Sequence, residues 1–122
     1  MYDRMLIREK LEQILEALLR IQRRSEDILS PDDFEANDEN LDKLDAIAMM
    51  LIAVGEAFKK IDKETGGELL LHYPQIDWRG VMGVRNVLAH DYFDIDTEEI
   101  FKICHKDIPL LAAVVTQMLK DV

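Results

Sequence analysis

The chain has 122 residues, of which 48% are apolar, and its 25 acidic against 15 basic side chains leave a formal charge of −10. Chains of this length bury roughly two-thirds of their unfolded surface, so one domain spanning residues 1–122 is expected, and neither disorder nor a disulfide-stapled miniprotein fits. The negative charge also excludes a general grip on nucleic acid, which comes from neutralising phosphates with Lys and Arg, so any such role must be local.

Five Gly and three Pro leave few places for turns, and no stretch alternates apolar with polar residues, so the fold is expected to be all-helical. From Tyr2 to Leu29, the residues Ile7, Leu11, Ile14, Leu15, Leu18, Ile21 and Ile28 form one apolar stripe of a long amphipathic helix. Ser30, Pro31, Asp32 and Asp33 read as an N-cap, a proline at the first helical position and acids in the first turn, so a short helical turn is expected there.

A second long helix is expected from Asn37 to about Lys63, stopped by Gly66 and Gly67. Leu44, Ile47, Ala48, Leu51, Val54, Gly55, Phe58 and Ile61 make its apolar face, and Met49, Met50 and Ile52 widen it. Such width suits the centre of a bundle or burial in a dimer interface, and both can hold. Beyond a loop containing His72, Tyr73 and Pro74, Asp77 caps a helix predicted to last to about His90, with Ile76 and Val81 as a hydrophobic staple. Ile95 to Ile100 form a second staple around Asp96, which implies a break after His90. Pro109 predicts a kink or a fresh start at Asp107 before the last helix, Leu110–Leu119.

Charge is unevenly spread. Residues 1–24 hold six basic and four acidic side chains, whereas residues 25–45 hold nine acidic and one basic. Arg20, Arg23 and Arg24 on the first helix suit either a solvated face or an acidic or phosphate-bearing partner. Cys104 has no disulfide partner in the chain and no neighbouring ligands at zinc spacing, which fits a reducing, cytoplasmic setting. The N-terminal residues lack an apolar signal core, and no run of 18 apolar residues occurs, so no membrane association is expected.

His72, His90 and His105 lie too far apart for a helical metal pair, and no glycine-rich phosphate loop, nucleophile elbow or HExxH motif is present. Neither metal nor cofactor is therefore expected. One segment remains: Arg85, Asn86, His90 and Tyr92 place a permanent cation, an amide, an imidazole and a phenol within eight residues. On a continuous helix, Arg85 and His90 stand about 140° apart, so they converge only if the helix ends near His90. The negative pole at such an end favours protonated imidazole. Spacing alone favours a structural meaning, with His90 answering the helix dipole, Arg85 in a surface ion pair and Tyr92 packing.

The Arg85-to-Tyr92 segment matches the Arg, four residues, His, any residue, Tyr motif, and so resembles the HEPN superfamily, specifically its HepT-like toxin branch. Val54-Gly55-Glu56-Ala57 resembles the branch's Ile-Gly-Glu-Ala element. Tyr73-Pro74-Gln75-Ile76-Asp77-Trp78-Arg79 resembles its Tyr-Pro-x-Ile-x-Trp run, and Asp107-Ile108-Pro109-Leu110 its Asp-Leu-Pro. The resemblance spans about residues 38–119. It implies an antiparallel up-and-down bundle of four to six helices, forming a homodimer whose two motifs face one cleft and cut RNA, tRNA among the candidate substrates, without metal.

In that setting His90 supplies base and acid from its two copies, Arg85 clamps the phosphate, and Asn86 binds phosphate or fixes the imidazole tautomer. Glu56 is expected either to orient Arg85 or Arg79 or simply to face solvent. The resemblance further implies a minimal nucleotidyltransferase as antitoxin partner, transferring AMP to Tyr92. Against this stands a non-catalytic helical module that binds a nucleotide or a nucleotidyltransferase, a reading that the acidity favours. A purely structural bundle is the third option.

Overall fold

A computed structural model describes residues 2–89 and 92–122, with the backbone alone at Val87, Ala89 and Tyr92. The described residues are helical throughout, joined by turns and without strands. Helix α1 spans Arg4–Ser25 and α2 spans Asp38–Glu64. The short helices α3 (Glu68–Leu71), α4 (Trp78–Met82) and α5 (Val84–Ala89) follow. Helix α6 (Thr97–Lys102) leads through a π-helical turn, Ile103–Asp107, into α7 (Ile108–Asp121). No described helix is long and apolar enough to cross a membrane.

The caps expected from the sequence set most boundaries. Asn37 Oδ1 accepts from the Asn40 amide at 2.8 Å and starts α2. At its other end Gly66 and Gly67 take φ of 61° and 78°. There the Gly67 amide reaches back to the Asp62 carbonyl at 2.8 Å, closing the helix with a left-handed turn that glycine adopts without a Cβ penalty. Asp77 and Asp96 cap α4 and α6 through their carboxylates.

Three boundaries or caps differ from expectation, whereas the fresh start expected at Asp107 is present. The first helix ends at Ser25 rather than near Leu29, because the Ser25 hydroxyl donates to the Ile21 carbonyl at 2.9 Å and the chain turns there. Ile28 is still fully buried beyond the turn. The turn at Pro31–Glu35 is 3-10, and the Ser30 side chain does not cap it. The Asp33 carboxylate instead ties the turn to the chain before it, accepting from the Leu29 amide at 2.8 Å.

The helix expected from Trp78 to His90 breaks at Gly83, which caps α4 through the last helical bond, from its amide to the Arg79 carbonyl at 2.9 Å, before α5 restarts at Val84. A Cβ there would meet that carbonyl at 3.0 Å, so the tight turn favours glycine. Pro109 sits in the first turn of α7, and the widened π turn before it absorbs the disruption that a proline causes.

Helix α1 packs between α2 and α7 and runs antiparallel to both. Lys10 on α1 meets Glu64 on α2 at 2.8 Å, and Arg8 Nη1 donates to the Leu119 carbonyl on α7 at 2.7 Å. All eight residues expected on the apolar face of α2 are buried. Phe34, Phe58, Leu88, Val115 and Met118 complete the single core. Of the residues widening the α2 stripe, Met50 and Ile52 pack against the core, whereas Met49 is 65% exposed.

Candidate active site

The second half of α2 and the α4–α5 segment build the site together. Gly55 lets them approach closely: a Cβ on it would lie 2.7 Å from the Val81 carbonyl oxygen and 3.0 Å from Val84 Cγ1. The Tyr-Pro-x-Ile-x-Trp run anchors α4 from its other end. The Trp78 indole N–H donates to the Tyr73 carbonyl at 2.9 Å, and its ring lies 4.9 Å from the Phe58 ring on α2. Tyr73 in turn donates its phenol to Asp121 at the end of α7, at 2.6 Å. Burial, then this hydrogen bond to a carboxylate, push the Tyr73 phenol up to about 12, and the same bond holds Asp121 below its ordinary range. The resemblance run is thus a strut from α7 through Tyr73 and Trp78 to α2.

This strut presents α5 beside Glu56. Arg85 Nη1 lies 3.5 Å from Glu56 Oε1, and Lys59 Nζ lies 3.7 Å from the same oxygen. Both separations are ion-pair distances longer than a charge-assisted hydrogen bond, so the carboxylate holds the cations in place without locking them. The Arg85 side chain is 60% exposed, leaving guanidinium N–H groups open to an incoming anion. Of the two arginines considered for Glu56, the structure joins Arg85 to it. Arg79 is exposed on α4 and makes no ion pair among the described residues.

Lys59 also belongs to the cluster, and its spacing of three from Glu56 along a helix is the signal that marks it in the sequence. Asn86 is exposed one residue after Arg85, with its amide donating to the Gly83 carbonyl at 3.0 Å. His90 lies outside the described residues, as does the Tyr92 side chain, so the Arg85–His90 convergence lies outside them too.

The remaining reactive side chains lie on other elements. His105, in the π turn, stacks on Phe101 with ring centroids 4.3 Å apart, and His72 ends α3. Burial pushes the Cys104 thiol up to about 11, with the Ser25 hydroxyl pulling weakly the other way, so Cys104 is a packed side chain and not a thiolate nucleophile. What the α2–α5 cluster can do chemically is hold an anion on an exposed guanidinium that a neighbouring carboxylate orients.

An all-helical domain with an arginine-bearing short helix laid on a long central one has the architecture expected of a HEPN-like bundle. The family model for Ribonuclease HepT-like proteins matches residues 14–118. The chain belongs to that family. It is 33% identical over 64 residues to a Methanocaldococcus jannaschii protein named "Putative RNase MJ1380", covering 52% of this chain and 55% of that one. It is 30% identical over 77 residues to "Putative RNase MJ0127" of the same organism, covering 63% and 60%. With "Probable ribonuclease HepT" of Thermococcus cleftensis it shares 36% identity over 66 residues, covering 54% and 56%. The chain therefore spans less than two thirds of the length of these relatives. No solved structure gives a significant match.

Proposed function

We propose that this chain is a metal-independent endoribonuclease, the toxin half of a toxin–antitoxin pair, which cleaves tRNA or another structured RNA in a cleft between two copies of itself. The observation that carries the reading is the pairing of exposed Arg85 with Glu56 at 3.5 Å, five residues before His90, in a chain of the HepT-like family. A phosphate arriving at Arg85 makes a bidentate contact with the guanidinium N–H groups that Glu56 leaves open, and Glu56 keeps the guanidinium aimed.

The chemistry follows from what an RNA phosphodiester needs. The neutral His90 of one copy takes the proton of the substrate 2′-hydroxyl, whose oxygen forms the new bond to phosphorus. The protonated His90 of the other copy gives its proton to the departing 5′-oxygen as the old P–O bond breaks. The Arg85 pair stabilises the charge on the non-bridging oxygens. The products are a 2′,3′-cyclic phosphate and a 5′-hydroxyl. Asn86 supplies a further donor to phosphate. Tyr92 is the residue to which a minimal nucleotidyltransferase partner transfers AMP. That adenylate brings negative charge and bulk beside the arginine clamp and silences it.

The test is cleavage of tRNA by the purified chain in excess EDTA, with the product ends identified and the mass in solution measured. The expected results are cyclic phosphate ends, a species of twice the 14.1 kDa chain mass, and loss of on the order of 10² to 10³ in rate for Arg85→Ala and His90→Ala. Activity retained in both variants refutes the nuclease reading and leaves the non-catalytic module. Co-expression with the nucleotidyltransferase should add one adenylate to Tyr92; suppression without that adduct refutes covalent control.

A further inference from the structure

A groove of about 420 Å³ runs between α1 and α2, lined by Lys10, Gln13 and Ala17 on one side and Ala53, Glu56 and Lys60 on the other. Ile14, Val54 and Ala57 complete its apolar floor. The volume falls within the range of about 300–1,000 Å³ typical of small-ligand sites. Glu56 both lines this groove and lies 3.5 Å from Arg85. The groove therefore opens directly beside the arginine proposed to clamp the scissile phosphate.

We infer that this groove is a substrate subsite that receives the RNA nucleotide next to the scissile phosphate, with Lys60 on its phosphate and the base on the apolar floor. The inference rests on the ribonuclease reading and extends it to residues outside the motif.

Charge supports the assignment. Around Glu56 stand Arg85, Lys59, Lys60 and Lys10, facing the two carboxylates of Glu56 and Glu64. This is a local excess of cations on a chain whose total is −10. Lys10 is engaged by Glu64 at 2.8 Å and Lys59 by Glu56 at 3.7 Å, whereas exposed Lys60 has no ion pair among the described residues. A phosphate at Lys60 thus displaces no internal partner. Lys60 follows Glu56 by one helical turn, about 6 Å along the axis, so both lie on the same face of α2. The Gln13 amide and the Glu56 carboxylate at the rim offer a donor and acceptors to the base edge, and the apolar floor offers a surface to its flat face.

The experiment compares wild type, Lys60→Ala and Lys60→Glu for cleavage of tRNA. Binding of a fluorescent single-stranded oligoribonucleotide is then measured in the cleavage-inactive His90→Ala background across a range of salt. The expected result is a several-fold higher KM with kcat within about twofold for Lys60→Ala. The salt slope of log Kd should also shrink by about 0.7, the value for one phosphate contact on a single strand. Lys60→Glu should be worse in both. Unchanged KM and salt slope alongside normal wild-type cleavage overturn the subsite and leave the nuclease reading intact. Absence of wild-type cleavage overturns the nuclease reading itself. Dissociation of the dimer by Lys60→Glu, with RNA affinity per chain unaltered, overturns the subsite in favour of a second copy covering the groove.

Discussion

Gly55→Ala tests the claim that close approach of α2 and the α4–α5 segment positions Arg85. The added methyl would sit 2.7 Å from the Val81 carbonyl oxygen and 3.0 Å from Val84 Cγ1. The first neighbour is backbone and cannot rotate away, so α4 must retreat by about half an ångström to restore ordinary contact. Two terms oppose each other in stability. Alanine gains about 1 kcal/mol over glycine inside a helix, whereas overpacking a filled site costs about 1–3 kcal/mol.

The balance is a net loss of about 1 kcal/mol, or roughly 3–6 °C in melting temperature for a domain of this size. The effect on cleavage is larger in proportion, because a misplacement near 1 Å can cost about 10² in rate, and half of that about tenfold. Thermal melting by circular dichroism and kcat on tRNA measure the two effects. Emission of Trp78, the only tryptophan, reports the displacement of α4 independently. A rise in melting temperature with unchanged emission and unchanged kcat would refute the reasoning, since helix propensity would then be the whole effect.

Glu56→Ala should lower melting by no more than a few degrees, because a half-exposed ion pair contributes about 0–1 kcal/mol. It should cut kcat about tenfold without raising KM, since the loss of a carboxylate also removes repulsion toward RNA; unchanged kcat would reject the orienting role. Tyr73→Phe addresses alkaline stability. With the folded phenol pushed up to about 12 against an ordinary 10.0, the unfolded chain releases its proton first. The contribution is therefore complete below pH 10 and is lost as pH rises toward 12. Urea denaturation between pH 9 and 12 should show the wild type losing stability more steeply than Tyr73→Phe, and parallel curves would reject the strut.

The parts of the fold legible in sequence are those governed by local chemistry. Asn37, Asp77 and Asp96 announce helix starts because their side chains accept from amides within three residues. The apolar face of α2 is legible because a central helix must bury a wide stripe whatever surrounds it. The break at Gly83 was not legible from periodicity, since the apolar spacing continues through it and only the end of α4 at Met82 and the restart of α5 at Val84 reveal it. The Glu56–Arg85 pairing was open in the sequence, because Arg79 and Arg85 both belong to the segment that crosses α2 and the turn at Gly83 decides which one faces Glu56. The groove beside it, with Lys10 from one helix and Lys60 from another, depends on the antiparallel register of α1 and α2, which no local pattern encodes.

The short α4–α5 segment carries Arg85, yet it rests chiefly on α2, and its other flank borders a groove of about 500 Å³ against α6 and α7. Its opening free energy is therefore set by the contacts around Gly55 and Trp78 and by the one buried leucine of α5, Leu88, while α1, α2 and α7 share the broad core. Amides of residues 79–86 should exchange with deuterium through a separate subglobal transition, well below the energy of global unfolding. Such decoupling lets the arginine-bearing element drift in sequence or adapt to a ligand without endangering the bundle that holds it.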